Sequence, residues 1–136
     1  MTNLSLARSY LIKATKRLKV LDVLLQEQAY SDVIRESQEI VELALKGMLR
    51  EVGVEPPKWH DVGSLIVEHK QRFPSEVGAK AAQLSEISKW LRKERELCFY
   101  GDIDFIPTEE YSLEDAQRAI QGARFAVENA TLVVSK

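Results

Sequence analysis

Residues 31–52 read SDVIRESQEIVELALKGMLREV, a stretch with one glycine and no proline. Its apolar side chains recur at intervals of three and four residues, which is the spacing of one side of an α-helix. They are Val33, Ile40, Val41, Ala44, Leu45, Met48 and Val52. This apolar face is broad, so the predicted helix packs against neighbours on two sides. Ser31 and Asp32 supply the oxygens predicted to cap its start.

The segments on either side of this helix are also predicted to be helical. Residues 4–25 keep the same periodicity without a glycine or proline, as expected of a long amphipathic helix. The run from Gly53 to Trp59 contains two prolines, which end the helix over residues 31–52. A short third helix is predicted from Asp61, as its cap, to about Arg72.

The second half of the chain predicts two further helices separated by a loop. Ser75 is predicted to cap the fourth helix, and Gly101 is predicted to end it. The loop runs to Tyr111, after which Ser112 and Asp115 have the spacing of a capping box. The fifth helix carries a stripe of mostly small residues, Ala116, Ala119, Ile120, Ala123, Val127, Ala130 and Val134.

These elements predict an all-α fold, because no segment has the pattern of a β-strand. The expected architecture is an antiparallel up-and-down bundle of four main helices plus a short extra helix, forming one domain over residues 1–136. A chain of 136 residues with 45% hydrophobic positions buries one core.

Composition also narrows the location and the classes of partner. The net charge of −2 does not fit a chain that is basic overall, as many nucleic-acid-binding proteins are. The single cysteine, Cys98, allows no disulfide within the chain and favours a reducing compartment. The N-terminus lacks a signal-peptide pattern, and no apolar run approaches the ~20 residues that span a bilayer. We therefore expect a cytoplasmic protein without a membrane partner.

Arg95 is unusual because it lies on the apolar edge of the fourth helix. That edge consists of Val77, Ala81, Leu84, Ser88, Leu91, Arg95 and Cys98. Burying an unpaired guanidinium is costly, so Arg95 is predicted to meet an anionic partner or to line a wet groove. An edge that is apolar and yet charged predicts an interface between two copies of the chain. In a purely structural alternative, Arg95 pairs with Asp102 or Glu94 of the other copy and only holds the dimer.

Charge along the chain is polarised around that position. Lys89, Arg92, Lys93 and Arg95 form a basic cluster on the fourth helix, whereas residues 102–115 contain six acidic residues and no lysine or arginine. Solvated helix faces and an acidic loop are the simplest interpretation. The alternative is a phosphate-binding cleft, in which affinity for a mononucleotide or short RNA falls as salt rises.

Several other chemistries lack their sequence motifs. The chain has no glycine-rich phosphate loop and no metal-ligand spacing, so no metal and no cofactor are predicted. Cys98 is predicted to pack in the core, since neither histidine is near it in sequence. His60 lies between Trp59 and Asp61, where loop packing is the ordinary role and a general base is the alternative.

Five segments, in this order, resemble the HEPN family (higher eukaryotes and prokaryotes nucleotide-binding). They are residues 37–49, Gly53, Pro56-Pro57, residues 60–65 and residues 95–102. The resemblance implies an α-helical bundle, usually a homodimer. Many family members are metal-independent ribonucleases, often toxins, and many prokaryotic ones accompany a small nucleotidyltransferase.

The resemblance assigns roles to individual residues near the end of the fourth helix. Arg95 matches the family arginine, whose planar fork suits binding of a scissile phosphate. Tyr100 stands where family nucleases have a histidine, and a phenol, with a pKa of about 10, is a poor base at neutral pH. Arg92 is also not followed by a histidine at the family spacing. Arg92, Arg95, Tyr100 and Asp102 are therefore the candidate ligand-binding residues.

Two functions remain open at this stage. The favoured one is a dimeric, regulatory HEPN protein that binds a nucleotide, RNA or nucleotidyltransferase without efficient turnover, with Tyr100 as a possible acceptor of a nucleotidyl group. The alternative is an active metal-independent ribonuclease in which Arg95 and Tyr100 act with a base from elsewhere, for which His60 is the candidate.

Overall fold

The computed structural model describes residues 3–56, 58 and 61–134, and the elements within these ranges are helical. The helices are α1 (Asn3–Gln26), α2 (Tyr30–Glu51), α3 (Val62–Glu68), α4 (Ser75–Gly78), α5 (Ala81–Phe99), α6 (Pro107–Glu110) and α7 (Leu113–Val133). A 3-10 turn, Lys70–Arg72, follows α3. These ranges contain no β-strand, only an isolated bridge between Asp102 and Phe105. The predicted all-α fold class is confirmed.

Helix α2 is the centre of the packing, because α1, α3, α5 and α7 all contact it. Its inner side chains are fully buried, among them Ile34, Ile40, Leu45, Met48 and Leu49. The breadth of the apolar face thus correctly predicted packing on more than one side. None of the helices in the described ranges is both long and apolar enough to cross a bilayer.

Contacts between side chains give the relative directions of the long helices. Arg17 on α1 pairs with Glu36 on α2, and farther along Tyr10 lies under Arg50, so α1 and α2 are antiparallel. Helices α5 and α7 are also antiparallel. Lys80, directly before α5, lies over the ring of Phe125 in the second half of α7. Trp90, farther along α5, contacts Arg118 near the start of α7.

Two of the four predicted caps are confirmed. The Asp61 carboxylate accepts a hydrogen bond from Gly63 N at 3.0 Å, and Ser112 with Asp115 forms the capping box of α7. The caps predicted at Ser31 with Asp32 and at Ser75 are wrong. Helix α2 already begins at Tyr30, since Val33 N bonds to the Ala29 carbonyl at 3.0 Å, and α4 begins at Ser75 itself.

Three boundaries also differ from the sequence prediction. The third predicted helix ends at Glu68 and continues as the 3-10 turn, while α6 forms inside the predicted loop. The fourth predicted helix is divided into α4 and α5. Lys80 N turns back to the Val77 carbonyl at 2.9 Å, and Lys80 itself has φ −101° and ψ 5°, so the helix is broken before Ala81. The packing of α4 against the 3-10 turn accompanies this break.

Candidate functional site

The apolar edge of α5 is buried in the core of its own chain, except at Arg95. Leu84, Leu91 and Cys98 are inaccessible to solvent, and Ser88 is 2% exposed. The Arg95 side chain is 47% exposed, and its Nη2 lies 2.8 Å from Glu39 Oε1 on α2. The predicted anionic partner therefore exists. It belongs to the same chain, 56 residues away in sequence.

The proposed role of this edge as a dimer interface needs correction. Ser88 and Leu91 pack inside the core, so they do not form a surface that a second copy can contact. Glu94, one of the two acids considered as a partner for Arg95, instead accepts a hydrogen bond of 3.5 Å from the Tyr111 hydroxyl. Any contribution of the edge to an interface is limited to its surface residue, Arg95.

Glu39 belongs to a row of charges that crosses three helices. Arg17 on α1 donates two hydrogen bonds to the Glu36 carboxylate, at 2.7 and 3.3 Å. The hydrogen bond with Glu36 raises the pKa of Arg17, and the charges on Glu36 and Glu39 add to this effect. Glu39 therefore interacts electrostatically with Arg17 on one side and pairs with Arg95 on the other. The positive charge of the Arg95 guanidinium is therefore already balanced by the Glu39 carboxylate.

The other cations of α5 lie around a shallow surface depression, which we call the basic depression. Lys89, Arg92, Lys93 and Asp61 line it. Arg92 Nη1 lies 3.3 Å from the Asp61 carboxylate, the same group that caps α3. Within the described residues, no ion pair engages Lys89 or Lys93. Arg95 does not line the basic depression, so the fold divides the basic cluster into two parts.

Tyr100 and Asp102 lie beyond the end of α5, outside the basic depression. Tyr100 is 86% exposed, as a residue that accepts a nucleotidyl group would have to be. Gly101 ends the helix with φ +75°, and a Cβ there would overlap the Phe105 carbonyl oxygen and the Pro107 ring. Asp102 Oδ1 accepts a hydrogen bond of 2.7 Å from Ile103 N, so this carboxylate stabilises the turn that follows α5.

The remaining candidates from the sequence are His60 and Cys98. His60 lies outside the described residues, so its suggested role as a base stays a prediction. Cys98 is buried, and burial raises the pKa of its thiol to about 11. A thiol that stays protonated at neutral pH is a poor nucleophile, so the prediction of core packing is confirmed. Within the described residues, no cluster of histidine, cysteine or carboxylate side chains has the arrangement of a metal site.

Sequence reasoning missed three residues that shape this surface, Glu39, Asp61 as a partner of Arg92, and Arg118. The guanidinium carbon of Arg118 on α7 lies 3.8 Å from the ring centroid of Trp90 on α5. Each contact joins separate elements of the fold. Spacing within one helix could not have indicated them, because they arise only when the helices pack.

Comparison with known proteins adds one positive result. A family model for the HEPN domain matches residues 7–130, a range that runs from α1 into α7. Comparisons with curated proteins and with solved structures gave no match.

Proposed function

Because this chain belongs to the HEPN domain family, we propose that it binds a nucleotide or RNA through the exposed cations of α5. Its role is then binding and regulation, without efficient cleavage. The proposed architecture is an antiparallel up-and-down bundle with α1, α2, α5 and α7 as its four main helices. The observation that carries the functional proposal is the basic depression, where Lys89 and Lys93 engage no described carboxylate in an ion pair.

Local charge supports this proposal more than total charge does. The chain has a net charge of −2, yet Lys89, Arg92 and Lys93 are exposed within little more than one turn of α5. A phosphate group in the basic depression would contact Lys89 and Lys93. Neither lysine would first have to break an ion pair with a described carboxylate. The phosphate would also meet Arg92, whose side chain is 38% exposed beside Asp61. Contacts of this kind carry little sequence information and weaken with salt.

The Arg95 region supports binding more than catalysis. A family nuclease needs a proton acceptor beside its arginine, whereas this chain has a phenol at position 100. Arg95 also pairs with Glu39, and a phosphate must compete with that carboxylate. Both features lower the expected rate of phosphodiester cleavage. Arg95 can still contribute to phosphate binding if its ion pair with Glu39 breaks.

The experiment that tests RNA binding compares two double variants of equal charge. A labelled ten-nucleotide oligouridylate is titrated at several salt concentrations. We expect Lys89→Ala with Lys93→Ala to lower affinity about tenfold at low salt and to reduce the salt slope by about one unit. Lys13→Ala with Lys16→Ala removes the same charge from exposed positions of α1 and should change affinity much less. Equal losses in both pairs, or no binding by the parent chain, would refute the proposed surface.

The proposal includes two further properties that follow from the family resemblance. One is a homodimer, which sedimentation velocity at micromolar concentration tests. The other is a small nucleotidyltransferase partner that transfers a nucleotidyl group to the exposed Tyr100 hydroxyl. Intact mass after co-expression should show the added nucleotidyl mass in the parent chain and not in Tyr100→Phe. Modification that persists in Tyr100→Phe, or unmodified parent chain, would argue against Tyr100 as acceptor.

A further inference from the structure

Trp90 and Arg118 form a stacked pair at the surface between α5 and α7. The guanidinium carbon lies 3.8 Å from the indole centroid, so the guanidinium sits over the ring. Trp90 is half-buried, whereas Arg118 is exposed. No ion pair links Arg118 to a carboxylate in the part of the chain that the structure describes. The indole therefore covers one side of the guanidinium, while Arg118 as a whole remains exposed.

The pair borders a small pocket with apolar walls and a polar rim. Ile87 and Leu91 contribute the apolar wall, while Gln83 and Glu86 are the exposed polar residues at its edge. Helices α5 and α7 also approach each other closely beside this pocket, where Gly122 meets Ile87. A Cβ added to Gly122 would lie 2.9 Å from Ile87 Cγ2, so this approach depends on glycine.

The stacked pair is also next to the lysines of the basic depression. Successive residues on an α-helix are about 100° apart, which places Trp90 only about 60° around α5 from Lys93. Lys89 precedes Trp90 directly in sequence. Cations and a stacking surface thus occupy neighbouring strips of one helix. Proteins that bind single-stranded nucleic acid combine these two features.

We propose that Trp90 and Arg118 form a stacking platform for one base of a single-stranded RNA whose phosphates contact Lys89 and Lys93. The base lies on the outer face of the Arg118 guanidinium, and Trp90 holds that guanidinium flat. Gln83 and Glu86 are positioned at the rim, where a carboxylate accepts a hydrogen bond from an exocyclic amino group. A base with such a group, adenine, cytosine or guanine, is therefore preferred over uracil. The inference rests on the proposed RNA binding and names where a base is held.

The test separates base stacking from phosphate binding. Affinity is measured for a ten-nucleotide oligoadenylate and for an abasic oligomer with the same number of phosphates. We expect the parent chain to bind oligoadenylate about tenfold more tightly. Arg118→Lys keeps the charge but removes the planar face, so it should lose most of this preference while its affinity for the abasic oligomer is unchanged. Arg118 is exposed, so the substitution leaves the core intact.

Arg124→Lys is the matched control. Arg124 is an exposed arginine of α7 that lies 3.5 Å from Asp22, and its replacement should leave the preference for oligoadenylate intact. Equal binding of the two oligomers by the parent chain would overturn the stacking platform and leave the proposed function standing. A preference that survives in Arg118→Lys would overturn the platform as well. Failure to bind either oligomer would overturn the proposed function together with the platform.

Discussion

The two sides of α5 differ in how their cations are compensated. Toward α2, Arg95 forms a 2.8 Å ion pair with Glu39, which also interacts with Arg17. Toward solvent, Lys89 and Lys93 line the basic depression without an ion pair to any described residue. Arg95 is the more conspicuous residue in the sequence because it interrupts an apolar edge. Lys89 and Lys93 do not stand out in the sequence, but in the fold they are more accessible to an anionic ligand than Arg95 is.

This difference shows that the position of a cation on a helix does not decide whether it can bind an anion. A neighbouring carboxylate from another helix occupies the same donors that a phosphate needs. An exposed ion pair contributes little to stability, typically less than about 1 kcal/mol, so a ligand can displace it. Under the proposed function, we therefore expect the pairing of Arg95 to weaken phosphate binding on that side without abolishing it. The Lys89 side should dominate initial binding.

The strongest effect is predicted for a substitution that would make the Arg95 side catalytic. Tyr100→His places a group with an ordinary pKa of about 6.5 where family nucleases have theirs. We expect cleavage of a labelled RNA in EDTA to rise about 10²-fold or more, because a base can take the proton of a ribose 2′-hydroxyl while Arg95 holds the phosphate.

The control for this gain of activity is the double variant Tyr100→His with Arg95→Ala, in which cleavage should disappear. Strong cleavage by the parent chain would show that the phenol does not silence the site and that the ribonuclease alternative is correct. No cleavage by Tyr100→His would mean that the surroundings of Arg95, including Glu39, do not have nuclease geometry.

A smaller effect is expected when Arg95 is released from its ion pair with Glu39. Glu39→Gln removes the carboxylate that pairs with Arg95 while keeping a side chain of similar size. We expect affinity for oligouridylate at low salt to rise about threefold, since an additional guanidinium becomes available to phosphate. Fluorescence anisotropy under the conditions of the lysine experiment measures this change.

Glu42→Gln provides the matched control for the loss of one negative charge. Glu42 lies on the same helix and pairs with Lys46 at 3.1 Å, with no contact to Arg95. Its replacement should raise affinity less than Glu39→Gln does. If the two variants behave alike, Arg95 does not contribute to RNA binding, and the binding surface is restricted to the Lys89 side.

Local sequence signals account for most of the helical architecture. The periodicity of residues 31–52 predicted a helix buried on more than one side, and α2 is packed in that way. Asp61 and Ser112 were identified as caps because their hydrogen bonds close within three residues. The caps at Ser31 and Ser75 failed because both helices begin earlier than predicted, with Ala29 and Pro74 at their N-cap positions. Such shifts are too small for periodicity to detect.

The all-α class, the cations of α5 and the phenol at position 100 could all be read from the order of residues. These properties depend on residue type and on contacts within a few positions. The packing of the helices was needed to show that Glu39 pairs with Arg95, that Lys89 and Lys93 lie apart from this pair, and that Arg118 stacks on Trp90. These contacts depend on the rotation and register of packed helices, which are set by the burial of many side chains together.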